Sequence, residues 1–196
     1  MEQYVEYGSG GSTRLAAASK SYNPAGGIDN MLVIEGDTSF MHKVMQQISS
    51  DRGNGNPIMP NIQTMAPYIG PLGAWSSPKA GNTVRLRGGK LPDDAPIKFA
   101  RNYPLYSKSG PDFLRGGPAD RAGRFPELVV VDGRFRMACA LRAIKEWGDR
   151  PIIMIDDFAD RELMYSPVMR FADPWYGFSD WVSAVSSEML EEIDSV

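Results

Sequence analysis

Residues Glu2–Ala18 read EQYVEYGSGGSTRLAAA, a short apolar run from Gln3 to Tyr7 that passes through glycines into an alanine-rich stretch. The run is strand-like, whereas Ser12 to Lys20, with its alanines and Leu15, favours helix. Gly8, Gly10 and Gly11 lie between them, where the absence of a Cβ permits tight turning and close approach of another molecule to the main chain. The segment therefore predicts strand, glycine turn, helix. The turn is either plain scaffolding or the edge of a binding site, and the decision rests on what stands at the neighbouring strand ends.

Working outward, NMLVIEG reads as a buried strand from Asn30 to Glu35. DTSFMHKVMQQISS then sets Phe40, Met41, Val44 and Ile48 along one helical face, with Asp37 or Thr38 able to cap it. A less regular strand is expected around Ile62 to Ala66. PELVVVDG gives another strand, ending at Asp132, and the helix that follows carries Phe135, Ala138, Leu141 and Ile144 as its stripe. RPIIMIDDF repeats the design and runs into Asp156 and Asp157. Continuous apolar strands separated by helices predict an α/β fold: a Rossmann-like open, mainly parallel sheet with helices on both faces. For the last strand the best candidate is YSPVMRFA, and SDWVSAVSSEMLEEI is expected to be helix, with Trp181, Val185 and Met189 spaced four apart.

The 196 residues suit one domain, and a long irregular insertion is expected within it at residues 71–124, where glycine, proline and charge dominate and only APIKFARNY suggests regular structure. It reads as a lid over a ligand, a small excursion, or a mobile segment. Hydrophobic residues at 42% and charged residues at 23% are ordinary globular values. A formal net charge of −3 gives no reason to bind polyanions, so no nucleic acid is expected. No basic leader opens the chain, and no apolar run reaches roughly eighteen residues. No membrane association and a cytoplasmic location are therefore expected. The single cysteine, Cys139, sits in an apolar helical pattern and reads as a buried, inert thiol.

Ligands of open parallel sheets bind beyond the carboxyl ends of the strands, near the point where strand order reverses. Polar residues gather at those ends here: Glu6 to Gly11, Glu35 to Asp37, and Asp132 with Asp156 and Asp157. Glu35 follows LVI directly, and a carboxylate there can accept both hydroxyls of a ribose; otherwise it is an exposed acid near a helix start. A nicotinamide dinucleotide fits less well. Its fingerprint wants a third glycine where Thr13 stands, and an acid about twenty residues on, earlier than Glu35. A Walker phosphate loop lacks its lysine and hydroxyl ending.

VEYGSGGST, the strand ending in Glu35, and LVVVDG with its following helix resemble the class I S-adenosylmethionine-dependent methyltransferases. Together with IIMIDDFADR the chain is similar to a small bacterial group described as methyltransferase-like. The resemblance covers the two ends of the chain far better than residues 71–124. It implies that Glu6, Gly8, Ser9, Gly10 and Gly11 pass the methionine part of S-adenosylmethionine and that Glu35 holds its ribose. The adenine would lie near Gln63 to Met65. A first strand so close to Met1, where such proteins usually have preceding helices, implies a minimal member or a late start.

Asp132, Asp156 and Asp157 would repel one another unless paired, and a hard divalent cation such as Mg2+ is a physical reason to gather them. That arrangement resembles the metal-dependent catechol-type O-methyltransferases, with Asp132 and Asp157 as candidate catalytic groups. The chain departs from them in offering Arg134, a poor base, where a lysine is expected. The alternative is structural, with Asp157 capping a helix and Asp132 bonded to Arg134 or backbone. His42 reads as a surface residue. Trp75, Tyr103, Tyr106, Trp175 and Tyr176 are candidates for an acceptor pocket, and Arg85, Arg87, Lys90 and Arg101 for contacts to an anionic acceptor. The expected function is methyl transfer to an oxygen of a small-molecule substrate, with a homodimer as the candidate assembly. The competing readings are a methyltransferase-like binding or regulatory protein without turnover, and an NAD-dependent oxidoreductase.

Overall fold

The computed structural model describes residues 1, 3–51, 59–68, 103–115, 123, 125–158, 162–176 and 181–184. The elements run β1 (Gln3–Tyr7), α1 (Gly11–Tyr22), β2 (Asn30–Ile34), α2 (Thr38–Asp51), β3 (Asn61–Met65), α3 (Tyr103–Leu114), β4 (Leu128–Val131), α4 (Arg136–Trp147) and β5 (Ile152–Ile155). A short helix α5 (Glu162–Tyr165), a 3-10 turn (Ser166–Arg170), β6 (Asp173–Tyr176) and β7 (Trp181–Ala184) follow. The sheet has seven strands in the order β3-β2-β1-β4-β5-β7-β6. The first five are parallel, and β7 is antiparallel to both its neighbours. This is the expected α/β architecture.

Strand order dictates where the helices lie. From β1 the chain steps to β2 and β3 in one direction, then returns past β1 to form β4. Right-handed crossovers of opposite direction place their helices on opposite faces. Accordingly Ala16 and Ala17 of α1 and Val44 and Ile48 of α2 pack with Tyr4, Met31 and Val33 on one face. Tyr106 of α3 and Cys139, Ala140, Ala143, Ile144 and Trp147 of α4 pack with Val5, Tyr7, Leu32 and Ile34 on the other. Strands buried on both sides have no reason to alternate with polar residues, which is why β2 and β4 read as nearly continuous apolar runs.

Several expectations are corrected. Helix α3 lies inside the stretch expected to be irregular, where it is the crossover that the topology requires between β3 and β4. YSPVMRFA is not a strand: Ser166–Arg170 forms a 3-10 turn with Pro167 in its first turn, a position that tolerates the missing N–H. Trp181–Ala184, expected in a helix, is the strand that pairs with both β5 and β6. In α4 the buried stripe falls on Cys139, Ala140, Ala143, Ile144 and Trp147, leaving Ala138 on the outside. In α2, Met41, Val44 and Ile48 are buried as expected, but Phe40 is exposed. Cys139 is fully buried, and burial pushes its thiol pKa up, so the inert reading stands. Among the described residues no helix is long and apolar enough to cross a membrane.

Candidate functional site

The order reverses at β1, whose two neighbours are β2 and β4. The crevice expected at such a switch point lies beyond Tyr7, Ile34 and Val131, and the structure brings the predicted polar residues to that rim. Gly8 leaves β1 at φ +100 and donates its N–H to Ile34 O at 2.8 Å. A Cβ on Gly8 would stand 2.5 Å from the Gly133 backbone, and one on Gly133 would meet Gly8 N at 2.7 Å as well as the Tyr106 hydroxyl. The first glycine of the turn is thus consumed by packing β1 against the turn after β4. Gly10 and Gly11 differ: among the described residues, apart from the adjoining backbone, no atom lies within 4 Å of the Cβ that either would carry. The open part of the turn is its second half.

Two side chains hold that half in shape. Thr13 is buried at the third position of α1, and its Oγ1 accepts the Gly10 N–H at 2.8 Å, the returning half of a capping box. Ser12 Oγ donates to Glu6 Oε1 at 2.5 Å. Glu6 is fully buried beneath the turn, and among the described residues its Oε2 has no hydrogen-bond partner. Burial pushes its pKa up to about 7 against the opposing influence of the Ser12, Thr13 and Tyr4 hydroxyls, with Asp132 adding a smaller upward push. Sequence reasoning placed Glu6 along the cofactor; the structure places it underneath.

Glu35 is the hub of the β2 side. Its Oε2 accepts the Ser9 N–H at 3.1 Å and the Ser9 hydroxyl at 3.2 Å, and its Oε1 accepts the Asp37 N–H at 2.8 Å. Asp37 in turn caps α2 by accepting the Phe40 N–H at 3.0 Å. The Glu35 N–H donates to Met65 O at 2.9 Å, bringing the end of β3 into the same group. Two carboxylate oxygens offer about four acceptor positions, of which the described residues use three, so Glu35 retains capacity for a ligand hydroxyl. Arg134 lies close enough for its charge to be felt by Glu35 and Asp37; burial lowers its pKa while those acids raise it.

On the other side Asp132, Asp156 and Asp157 do converge, but around a guanidinium. Arg136 Nη2 donates to Asp132 Oδ1 at 3.0 Å, Nη1 reaches Asp157 Oδ2 at 3.2 Å and Asp156 Oδ2 at 3.5 Å, and the same Nη1 donates to Asp156 O at 2.5 Å. Nε donates to Gly133 O at 3.2 Å. Burial pushes the Asp132 pKa up to about 7, helped by Asp156 and Asp157 and opposed by Arg136. Among the described residues no group of three or more His, Cys, Asp or Glu side chains is arranged to hold a metal ion. The donor set does not fit the expected Mg2+, because Arg136 already supplies positive charge at the point where the carboxylates meet.

Tyr106, a candidate for the acceptor pocket, is fully buried: its hydroxyl donates to Ile34 O at 3.1 Å and its ring meets Phe135 edge-on at 5.9 Å. Phe135 adopts φ 52, unusual for a bulky residue, in the turn that presents Arg136. His42 is exposed on α2, as expected. Trp75, Arg85, Arg87, Lys90 and Arg101 lie outside the described residues, as do the side chains of Tyr103, Trp175 and Tyr176. Sequence reasoning missed Arg136, Gly133 and Thr13. For Arg136 spacing gave no signal, because the four residues from Asp132 run through a turn with Phe135 at φ 52, where the helical pairing rule does not apply.

No family model matches the chain, and none of the curated proteins does. Among solved structures it is similar to a methyltransferase-like protein from Silicibacter pomeroyi DSS-3, with a TM-score of 0.65 and 23% identity, over 98% of this chain and 85% of that one. The likeness is one of fold, and it extends across nearly the whole chain.

Proposed function

We propose that this protein is a methyltransferase that takes its methyl group from S-adenosylmethionine and gives it to an oxygen of a small-molecule acceptor. The observation that supports this most is Glu35 at the switch point, fixed by Ser9 and Asp37 with acceptor capacity to spare, beside the open backbone of Gly10 and Gly11. Bound there, S-adenosylmethionine would supply a methyl activated by its sulfonium charge. Glu35 would accept a ribose hydroxyl at its remaining acceptor position, Ser9, Gly10 and Gly11 would line the methionine portion, and Met65 would border the adenine at the end of β3. Beneath them, Glu6 supports the turn through Ser12.

Because the donor is already activated, the protein's share is largely orientation of the two reactants. Asp132, with a pKa pushed up to about 7, is the candidate to take the proton of the acceptor oxygen near neutrality. Asp157, bonded to Arg136, would help orient it. A nicotinamide dinucleotide is disfavoured by Thr13, which bonds across the glycine turn at the position where that cofactor's turn needs a third glycine.

Calorimetric titration with S-adenosylmethionine and S-adenosylhomocysteine tests the reading, with one-to-one binding expected for each. Absence of binding by both would overturn it. Binding without methyl transfer to any member of a broad panel of hydroxylated acceptors would favour the regulatory alternative.

A further inference from the structure

We propose that Arg136 is the resident cation of this site: its guanidinium occupies the place of the divalent ion that three converging aspartates would otherwise gather, and it positions them. The inference stands whether or not S-adenosylmethionine binds.

All three guanidinium nitrogens are engaged, two with carboxylates and two with main-chain oxygens, and the side chain is only 11% exposed. The three aspartates are 36–40% exposed, so their outer oxygens face the rim while their inner ones meet the arginine. A rigid fork can serve oxygens in several directions at once, which a lysine ammonium on a flexible stem does less well. Magnesium needs oxygens at about 2.0–2.1 Å around one point, and calcium at about 2.3–2.6 Å. The fork stands between these carboxylates instead, in contact with all three. Admitting a divalent ion would mean expelling Arg136 from Gly133 O and Asp156 O and stranding a nearly buried guanidinium beside a dication, both costly.

The same contacts explain how the rim keeps its form. Gly133 O belongs to the turn after β4 and Asp156 O to the turn after β5, so a single side chain ties the two. Each of those turns contains a residue at positive φ, Phe135 at 52 and Asp157 at 55, flanking the arginine's partners. Arg136 is thus a positioning residue, acting on any acceptor through Asp132 and Asp157.

Titration of the intact protein with Mg2+ alone and with Ca2+ alone, alongside thermal unfolding with and without chelator, tests the proposal. The wild type is expected to show no one-to-one binding and no response to chelator. Arg136→Ser should lower the melting point and gain one divalent site that the wild type lacks, with the ion restoring part of the lost stability. Arg136→Lys should be destabilised without gaining the site, and it decides the matter if Arg136→Ser fails to fold with or without the ion. One-to-one Mg2+ binding to the wild type that Asp157→Asn removes would overturn the proposal. So would an Arg136→Ser protein that folds and gains no divalent site, or an Arg136→Lys protein that gains one.

Discussion

The two halves of the rim handle their acids in different ways. On the β2 side Glu35 is held by a hydroxyl and by two backbone N–H groups, neutral donors that fix the carboxylate and leave part of it available. On the β4 and β5 side three aspartates are held by one guanidinium, which offsets part of their charge and fixes where they stand. A carboxylate fixed by neutral donors keeps its charge for a ligand, whereas carboxylates gathered on a cation become scaffold that also faces a ligand. Proximity of acids at strand ends does not distinguish the two; the partners do.

The largest effect should come from separating the halves. Gly133→Ala places a Cβ against Gly8 and the Tyr106 hydroxyl, and is expected to cost about 3 kcal/mol, the upper end for overpacking, in urea unfolding. A cost under about 1 kcal/mol would show that the two turns are not locked together.

Glu35→Ala sharpens the contrast in another way. It strands the Ser9 and Asp37 N–H groups at a cost of about 1–3 kcal/mol, and S-adenosylmethionine should bind at least roughly tenfold more weakly. Unchanged affinity would move the cofactor away from the β2 side.

Glu6 gives a pH dependence. Its carboxyl holds a proton in the fold up to about 7 but ionises near its ordinary 4.5 when unfolded. Between those values the folded state binds more protons, so stability should fall as pH rises from about 4.5 to about 7, then level off at this group. Asp132 adds a slope of the same sign over its own window below about 7. Glu6→Gln should flatten the melting-temperature profile there, and a profile as steep as the wild type would place the proton elsewhere. The smallest effect is expected for Gly11→Ala: open space at its Cβ should keep stability within about 0.5 kcal/mol, while cofactor affinity drops.

Periodicity reached β2, β4 and β5 most clearly because each is a nearly continuous apolar run followed by a turn; the crossover helix α3 was missed. That helix contains Pro104, Gly110 and Pro111, residues that read as loop. Proline at the start of a helix loses no bond, and Gly110 is needed because a Cβ there would stand 2.6 Å from the Tyr7 hydroxyl. Its composition answers to tertiary packing, which local propensity does not see. Trp181–Ala184 fails for a related reason: a short apolar stretch fits either period, and pairing with β5 and β6 decides it. At the site the acids and glycines were legible by type and strand position. Their partners were not, since which glycine packs and which stays open, and which arginine meets the aspartates, depends on contacts between separate turns.

One further property follows from the way α4 is seated. Cys139 is the chain's single cysteine, fully buried, with its Sγ donating to Arg134 O at 3.3 Å in the turn that presents Arg136. A thiol reagent can reach it only when α4 lifts from the sheet, so the rate of alkylation is a clock for that opening. The clock requires no added label. A ligand bound across the rim that must leave before α4 opens will slow it in proportion to occupancy, giving a chemical readout of binding that does not depend on turnover.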